Sequence, residues 1–212
     1  MLDSPAKLLR LSGVLFGLFL VLTALVVAGW TQSFDDQVAD IMRHAKVSWL
    51  VSAAEVFHFA GRIPLVLVLV AVGFVVLAFG KQLRAAFIWL GIVTVAAVFS
   101  DLTKALVGRD RPVDALVQEH SFSYPSGHSM VAAAAIGLGL AIVASILWPQ
   151  RRRLFLWTGW VFAVLMVLSR IYLRAHWLTD TLGGLLFGTA IVVASVAFWL
   201  RNTHPPPASG SP

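Results

Sequence analysis

The chain has 212 residues, of which 59% are hydrophobic and 12% are charged, and its formal net charge is +6. Soluble domains carry about 25% charged residues, so this composition argues against a water-soluble globule. The basic residues are dispersed among loops instead of forming one stripe, which argues against nucleic-acid binding. The chain contains no cysteine, which excludes disulfides and thiolate metal sites.

Six apolar runs approach the roughly 20 residues that a helix needs to cross the hydrocarbon core. In chain order they cover residues 11–30, 63–80, 85–100, 130–148, 154–168 and 182–200. The third and fifth runs are short, but each is followed by residues of mixed polarity that extend the same helix. The first run exceeds the roughly 7 to 15 apolar residues of a signal peptide and is expected to stay as an uncleaved span. The sequence therefore predicts an all-α polytopic membrane protein with six transmembrane helices.

The segment 31–62, between the first two spans, contains four acidic residues and spaced apolar residues such as Phe34 and Ile41. This pattern predicts an interfacial amphipathic helix, to which the sequence assigns no function. The adjacent acids Asp35 and Asp36 are expected to be solvated or interfacial rather than metal-binding. Residues 202–212 are rich in proline, glycine and serine and are predicted to be disordered. Residues 1–201 then form one membrane domain.

With six spans, the lysine and arginine residues divide evenly between the two faces of the membrane. The positive-inside rule therefore does not decide the orientation by number alone. The cluster Arg151–Arg153 lies in a short loop, where the rule has most force. We therefore expect a multi-pass protein of the cell (plasma or inner) membrane with both termini in the cytoplasm.

The first of three polar clusters on the opposite face contains Lys104, Arg111 and Pro112. Lys104 and Arg111 project to one side if the third span continues to Arg111, where Pro112 ends it. Two neighbouring cations repel unless an anion lies between them, and arginine binds phosphate in a bidentate manner. The alternative is a pair of interfacial residues whose charged ends reach water. Taken alone, this common spacing favours the alternative.

The second cluster, Pro125 to His128, comes directly before a long apolar run. It places the amides of Ser126, Gly127 and His128 at a helix N-terminus, where unpaired amides and the helix dipole bind anions. Glycine allows a close approach of the backbone. An ordinary helix cap with Ser126 as the N-cap residue explains the same residues.

The third cluster contains Ser169, Arg170, His176 and Asp180. His176 and Asp180 are four residues apart and lie one helical turn apart on the same face, so Asp180 can accept the proton of one imidazole nitrogen. The other nitrogen is then free to act as a nucleophile or base. Arg170 can reach the same pocket from the neighbouring helix. A local hydrogen bond that caps the sixth span is the alternative.

In their order along the chain, the three clusters resemble the signature of the type-2 phosphatidic acid phosphatase (PAP2) superfamily. That signature reads Lys-x6-Arg-Pro, then Pro-Ser-Gly-His, then Ser-Arg-x5-His-x3-Asp, and all eleven fixed positions match. The resemblance, with six spans, covers most of residues 8–200. Each cluster is a weak signal, but the ordered set is highly specific.

The resemblance implies a membrane lipid phosphatase that forms a phosphohistidine on His176 while Asp180 orients the imidazole. His128 protonates the departing oxygen and then activates water. It further implies a phosphate-binding group made of Lys104, Arg111, Ser126, Gly127, His128 and Arg170. We expect no metal and no other cofactor, since the chain lacks a His-Glu-x-x-His motif. The histidines outside the motifs, His44, His58, His120 and His204, are expected in loops or at the interface.

Two other functions compete with a lipid phosphatase. A vanadate-dependent haloperoxidase has a similar anion site, but six spans argue against that class, which looks soluble. A non-catalytic protein that binds or transports lipid phosphates needs the cations but not both His128 and His176. Among substrates, undecaprenyl diphosphate is placed narrowly ahead of phosphatidylglycerol phosphate and phosphatidic acid, and oligomeric state is not indicated.

Overall fold

The computed structural model describes residues 4–203, and within this range all of the regular structure is helical, which confirms the all-α class. The predicted tail lies outside the described residues apart from positions 202 and 203, which continue the last helix. A π-helical segment, His128–Leu138, leads directly into α6, and a short 3₁₀ turn, Pro149–Arg151, precedes α7. The α-helices are α1 (Pro5–Val27), α2 (Gln32–His44), α3 (Ser48–Ala60), α4 (Ile63–Phe79), α5 (Leu83–Val107), α6 (Gly139–Leu147), α7 (Arg152–Tyr172) and α8 (Leu178–Thr203).

Five helical stretches of the described chain are long and apolar enough to cross a membrane. They are α1, α5, the π-helical segment together with α6, the 3₁₀ turn together with α7, and α8. The predicted second span corresponds to α4, which meets the same test only together with α3, and these two helices are bent by 62° at the break between them. The described chain thus contains five membrane-spanning candidates, or six if the bent pair forms one span.

The segment between the first two predicted spans contains two helices rather than one. Of these, α2 carries the amphipathic pattern, whereas α3 is predominantly apolar and packs against α7. The side chain that α2 buries is Asp35, which is only 1% exposed. The expectation that Asp35 is solvated or interfacial is therefore wrong, while its neighbour Asp36 is exposed, as expected.

Small residues allow α8 to pack closely against α1 and the π-helical segment. A Cβ atom added at Gly188 of α8 would lie 2.6 Å from the Cβ of Ala134 and 2.7 Å from the carbonyl oxygen of Met130. On the other side of the π-helical segment, the fully buried Trp89 of α5 donates its indole N–H to the carbonyl of Ala135 at 3.1 Å. This indole bond satisfies a polar group that would otherwise be costly to bury.

The end of α5 differs from the expectation that this helix continues to Arg111. Gly108 adopts a left-handed conformation with φ of +63° and donates its amide to the carbonyl of Lys104, so α5 ends at Val107. A left-handed residue, usually glycine, commonly follows the last helical turn because glycine has no Cβ to clash. Arg111 therefore lies in the loop that follows α5, and its approach to Lys104 does not come from helical spacing.

The contact at Gly188 yields a stability prediction. We expect Gly188→Ala to lower the free energy of unfolding by about 1 to 3 kcal/mol, the usual cost of forcing extra atoms into a packed core. Gly17→Ala in α1 is the matched control, because a Cβ there meets nothing within 4 Å. The control should be neutral or slightly stabilising. Thermal unfolding in detergent measures both variants, and equal transition temperatures would contradict the close packing.

Candidate active site

The three polar clusters lie together where the loop after α5 meets the ends of α5 and α7 and the start of α8. A cavity of about 630 Å³ opens at this point, and Lys104, Arg111, Glu119 and Ser121 are among the residues that line it. Arg111 lies 3.1 Å from Nε2 of His176, and the amide of Ser126 donates to the carbonyl of Asp180 at 3.0 Å, so the three clusters are neighbours in space although they come from separate parts of the chain.

The two cations of the first cluster both donate hydrogen bonds to the same part of the loop after α5, at Ser121 and Phe122. Lys104 donates from Nζ to the carbonyl oxygen of Phe122 at 2.7 Å and to Ser121 Oγ at 3.3 Å. Arg111 donates from Nε to the carbonyl oxygen of Ser121 at 2.7 Å and from an Nη to its hydroxyl at 3.2 Å. Burial lowers the pKa of Arg111, although a guanidinium remains charged at physiological pH. Two cations thus share one hydroxyl at the edge of the cavity.

The second cluster leads into the π-helical segment. The amide of Ser126 donates to the main-chain carbonyl of Asp180 at 3.0 Å, which ties this loop to the first turn of α8. Because that amide already donates a hydrogen bond, only the amides of Gly127 and His128 are left for the anion contacts expected from Ser126, Gly127 and His128. The hydroxyl of Ser126 is fully buried and accepts a bond from the amide of Ser129 at 3.4 Å, as a capping residue does.

The hydrogen bonds of His176 define its tautomer. Its Nδ1 lies 2.9 Å from the carbonyl oxygen of Ser123, and its Nε2 lies 3.1 Å from an Nη of Arg111. A carbonyl can only accept and a guanidinium can only donate, so Nδ1 carries the proton and Nε2 offers a lone pair. Burial, and then the positive charges of Arg111, Arg170 and Lys104, hold the pKa of His176 well below its ordinary value. The imidazole is therefore neutral beside cationic side chains.

Asp180 contacts His176 less directly than the sequence suggested. Its Oδ2 is 3.5 Å from Nδ1 of His176, beyond a good hydrogen bond, because the carbonyl of Ser123 takes the imidazole proton. The same oxygen accepts bonds from the hydroxyl of Ser123 and from the amide of Trp177, the latter at 2.9 Å. The other carboxylate oxygen accepts a bond from Arg109 at 2.7 Å. Asp180 thus fixes the loop and the helix start on either side of His176.

Arg170, which is fully buried at the end of α7, brings two further residues into the site. One Nη lies 2.7 Å from Nδ1 of His58, and the other donates to the carboxylate of Glu119 at 3.3 Å. The ring of His58 stacks on that of His128 with centroids 5.5 Å apart, and Nε2 of His128 lies 3.1 Å from the carbonyl oxygen of His58. The expectation that His58 lies in a loop or at the interface is therefore wrong, since it belongs to α3 and contacts Arg170 and His128.

Sequence reasoning missed four contributors to this arrangement: His58, Arg109, Glu119 and Ser123. Arg109 and Ser123 each lie two residues before a matched motif position, and this closeness in sequence is the signal that could have identified them. His58 and Glu119 belong to no motif, and their partner Arg170 is 112 and 51 residues away along the chain. No periodicity connects residues at such separations.

His58, Glu119 and His128 also form a group whose potential metal-ligand atoms lie within 4.8 Å of one another. The neighbouring charges disfavour a cation there. Arg170 lies 2.7 Å from Nδ1 of His58, so a metal bound through that nitrogen would sit against a guanidinium. The guanidinium therefore disfavours a metal ion at this group.

Comparisons with known proteins identify the family and the fold of this chain. A family model described as the PAP2 superfamily matches residues 85–204. Phosphatidylglycerophosphatase B of Bacillus subtilis is 30% identical over 82% of this chain and 87% of its own length. Undecaprenyl-diphosphatase of Sulfolobus acidocaldarius is 28% identical over 52% of each chain. The crystal structure of a transmembrane PAP2-type phosphatidylglycerolphosphate phosphatase from Bacillus subtilis superposes with a TM-score of 0.80 at 27% identity, over 91% of this chain and 94% of the other.

The all-helical fold and the cationic site define a multi-pass membrane phosphatase that acts on phosphoric esters of lipids. The chain belongs to the PAP2 superfamily. Its membership confirms the resemblance drawn from the three ordered clusters.

Glu119 yields a binding prediction, because its carboxylate competes with phosphate for Arg170. Glu119→Gln removes that charge with little change of shape, so we expect inorganic phosphate to bind about three- to tenfold more tightly, the range of a modest charge interaction. Asp101→Asn is the matched control, since Asp101 is an exposed acid that lines the same cavity. Calorimetric titration in detergent measures both, and unchanged or weaker binding in Glu119→Gln would contradict competition.

Proposed function

We propose that the protein hydrolyses a membrane lipid phosphate without a metal, through a phosphohistidine intermediate on His176. The observation that carries this proposal is the unprotonated Nε2 of His176, held 3.1 Å from Arg111 at a site rich in fixed positive charge. A nucleophile needs a lone pair, which Nε2 regains when Arg111 turns from it to the phosphate oxygens, and a transferring phosphoryl group needs cations placed in advance. Both requirements are met at the same atom pair.

In the first step, the phosphate binds among Lys104, Arg111 and Arg170, and Nε2 of His176 attacks phosphorus. The bond between phosphorus and the lipid oxygen breaks, and His128, which takes up a second proton when the negatively charged phosphate binds, gives its Nε2 proton to that oxygen. Nδ1 of His176 keeps its proton on the carbonyl of Ser123, which shares the positive charge that develops on the ring. The product is a free lipid alcohol and a phosphorylated enzyme.

In the second step, neutral His128 takes a proton from water, and the resulting hydroxide attacks phosphorus. The bond between phosphorus and nitrogen breaks, its electron pair returns to Nε2 of His176, and inorganic phosphate leaves. His128 must exchange its contact with the carbonyl of His58 for the leaving oxygen and then for water. Asp180 holds the loop and helix around His176 through both steps.

Phosphatidylglycerol phosphate is the substrate that we place first. The relative named phosphatidylglycerophosphatase B aligns with 82% of this chain, whereas the relative named undecaprenyl-diphosphatase aligns with 52%. The carboxylate of Glu119 beside Arg170 also opposes the extra negative charge of a diphosphate. This ranking replaces the narrow preference for undecaprenyl diphosphate that the sequence suggested, and phosphatidic acid stays third.

The two competing functions have less support. A haloperoxidase-like enzyme of the soluble kind does not need five or six apolar helices of spanning length. A binding or transport protein needs cations but has no use for a histidine whose tautomer exposes an unprotonated nitrogen beside them. The geometry of His176 favours chemistry over binding alone.

For topology we propose six spans, with both termini in the cytoplasm and the active site on the extracytoplasmic face of the cell membrane. The bent pair of α3 and α4 supplies the sixth span. The short loop before α7 is basic and faces the cytoplasm, since Arg151 ends it and Arg152 and Arg153 begin α7. The residues of the three clusters gather at the other end of the helices. A lipid enters the cavity sideways from the outer leaflet.

The catalytic test is phosphate release by purified protein in detergent with EDTA, comparing phosphatidylglycerol phosphate, undecaprenyl diphosphate and phosphatidic acid. We expect metal-independent release that His176→Ala reduces by at least about 10³-fold, because the nucleophile is lost. His128→Ala should lose about 10² to 10⁴-fold with lipid leaving groups but much less with an aryl phosphate, whose leaving oxygen needs no acid. Wild-type turnover in His176→Ala would contradict the mechanism, and no release from any lipid would favour the binding protein.

The orientation is tested with a cysteine introduced at Gln118, since the natural chain has none. In intact cells this cysteine should react with an impermeant maleimide added outside. A cysteine at Gln150, in the basic loop before α7, is the matched control and should react only after the cells are permeabilised. The reverse pattern would place the active site in the cytoplasm.

A further inference from the structure

A buried ion-pair cluster links α2 to the catalytic end of α8. The carboxylate of Asp35 accepts a bond from an Nη of Arg109 at 2.7 Å, and the other Nη of Arg109 contacts Asp180 at 2.7 Å. The two carboxylate side chains have no exposed surface, and Arg109 is 10% exposed. One guanidinium therefore joins two buried acids, and one of these acids lies beside His176.

Asp35 also holds the first turn of α8 directly. Its Oδ1 accepts the amide of Thr179 at 3.0 Å, and its Oδ2 accepts the hydroxyl of the same residue at 2.5 Å. The first amides of a helix lack partners within the helix, so a carboxylate from another element can cap them. Asp35 thereby fixes the backbone next to Asp180 from a position 144 residues away in the sequence.

The cluster has few alternative arrangements. The guanidinium of Arg109 lies over the ring of Trp177 at 5.5 Å, and Thr179 accepts a further bond from Arg109 at 2.8 Å. Asp180 in turn receives the amide of Trp177, the residue that follows His176. A change at Asp35 is therefore transmitted to the segment that carries the nucleophile.

We infer that Asp35 and Arg109 are positioning residues for the reaction, which hold Asp180 and the segment after His176 so that Nε2 of His176 faces the phosphorus. This inference rests on the proposed function and adds a role for α2, to which the sequence assigned none. Asp35 touches no reacting atom. Its effect reaches His176 through Arg109, Thr179 and Asp180.

The variant that tests this inference is Asp35→Asn, because asparagine keeps the size of the side chain but removes its charge and one acceptor. Asp36→Asn is the matched control, since Asp36 is the exposed neighbour and contacts Gln32 at 2.9 Å. We expect Asp35→Asn to lower kcat about tenfold with KM changed by less than about twofold, a loss of about 1.4 kcal/mol in transition-state stabilisation. Asp35→Glu should recover part of the loss, and Asp36→Asn should behave as the natural protein.

Binding of two inorganic anions separates positioning from general damage. Orthovanadate bonds to a histidine nitrogen, whereas inorganic phosphate binds only through the cations and amides. We expect Asp35→Asn to weaken orthovanadate about tenfold and phosphate by less than about twofold in calorimetric titrations at a temperature where the variant is folded. In a background of Asp180→Asn, the same substitution should change the ratio of the two affinities clearly less, since much of the effect passes through Asp180.

Three outcomes would each overturn the positioning role. They are an equal loss of affinity for both anions, an unchanged affinity for orthovanadate, and a change of the affinity ratio that is just as large in the Asp180→Asn background. If Asp35→Asn does not fold, Arg109→Lys replaces it, because lysine keeps the charge but cannot bridge both carboxylates, and the same ratio decides. These titrations need no turnover. Selective loss of orthovanadate binding in a protein that hydrolyses no lipid phosphate would support the positioning pair and reject the proposed function.

Discussion

The site depends on holding three cations, Lys104, Arg111 and Arg170, around His176, where burial partly removes water. Like charges repel more strongly there than in bulk solvent, so the fold must compensate for them before any substrate arrives. Main-chain carbonyls at 121–122 accept bonds from two of the cations, and the carboxylate of Glu119 meets the third. Carbonyl dipoles offset such charges only in part. Under the proposed function, the remaining positive potential attracts a phosphate and stabilises the charge that develops during its transfer.

The positive potential of these cations also explains the protonation state of His176. A proton on its Nε2 would place a second positive charge 3.1 Å from Arg111, and burial removes the water that would screen the two charges. The imidazole therefore stays neutral, and the carbonyl of Ser123 fixes its remaining proton on Nδ1. Under the proposed function, one arrangement of charge both binds the substrate and keeps the nucleophile unprotonated.

Close packing of α8 makes this arrangement possible. A Cβ at Gly184 would lie 2.6 Å from the carbonyl oxygen of Ser126, and one at Gly183 would lie 2.6 Å from the hydroxyl of Tyr124. Both glycines follow Asp180 within the first turns of the helix, so the loop that leads to His128 rests directly on their backbone. Larger residues would move this loop, and with it His128, away from His176.

The sequence by itself determined the helical class, the membrane location of the fold and the matched motif residues, because apolar runs and fixed spacings are local properties of the chain. It could not determine that α5 ends at Val107 and that Arg111 reaches Lys104 through a loop. The roles of Asp35 and His58 also depended on tertiary structure alone. Each contacts side chains far away along the chain, and an isolated acid or histidine has the same appearance in a sequence whether packing buries it against an arginine or leaves it in water.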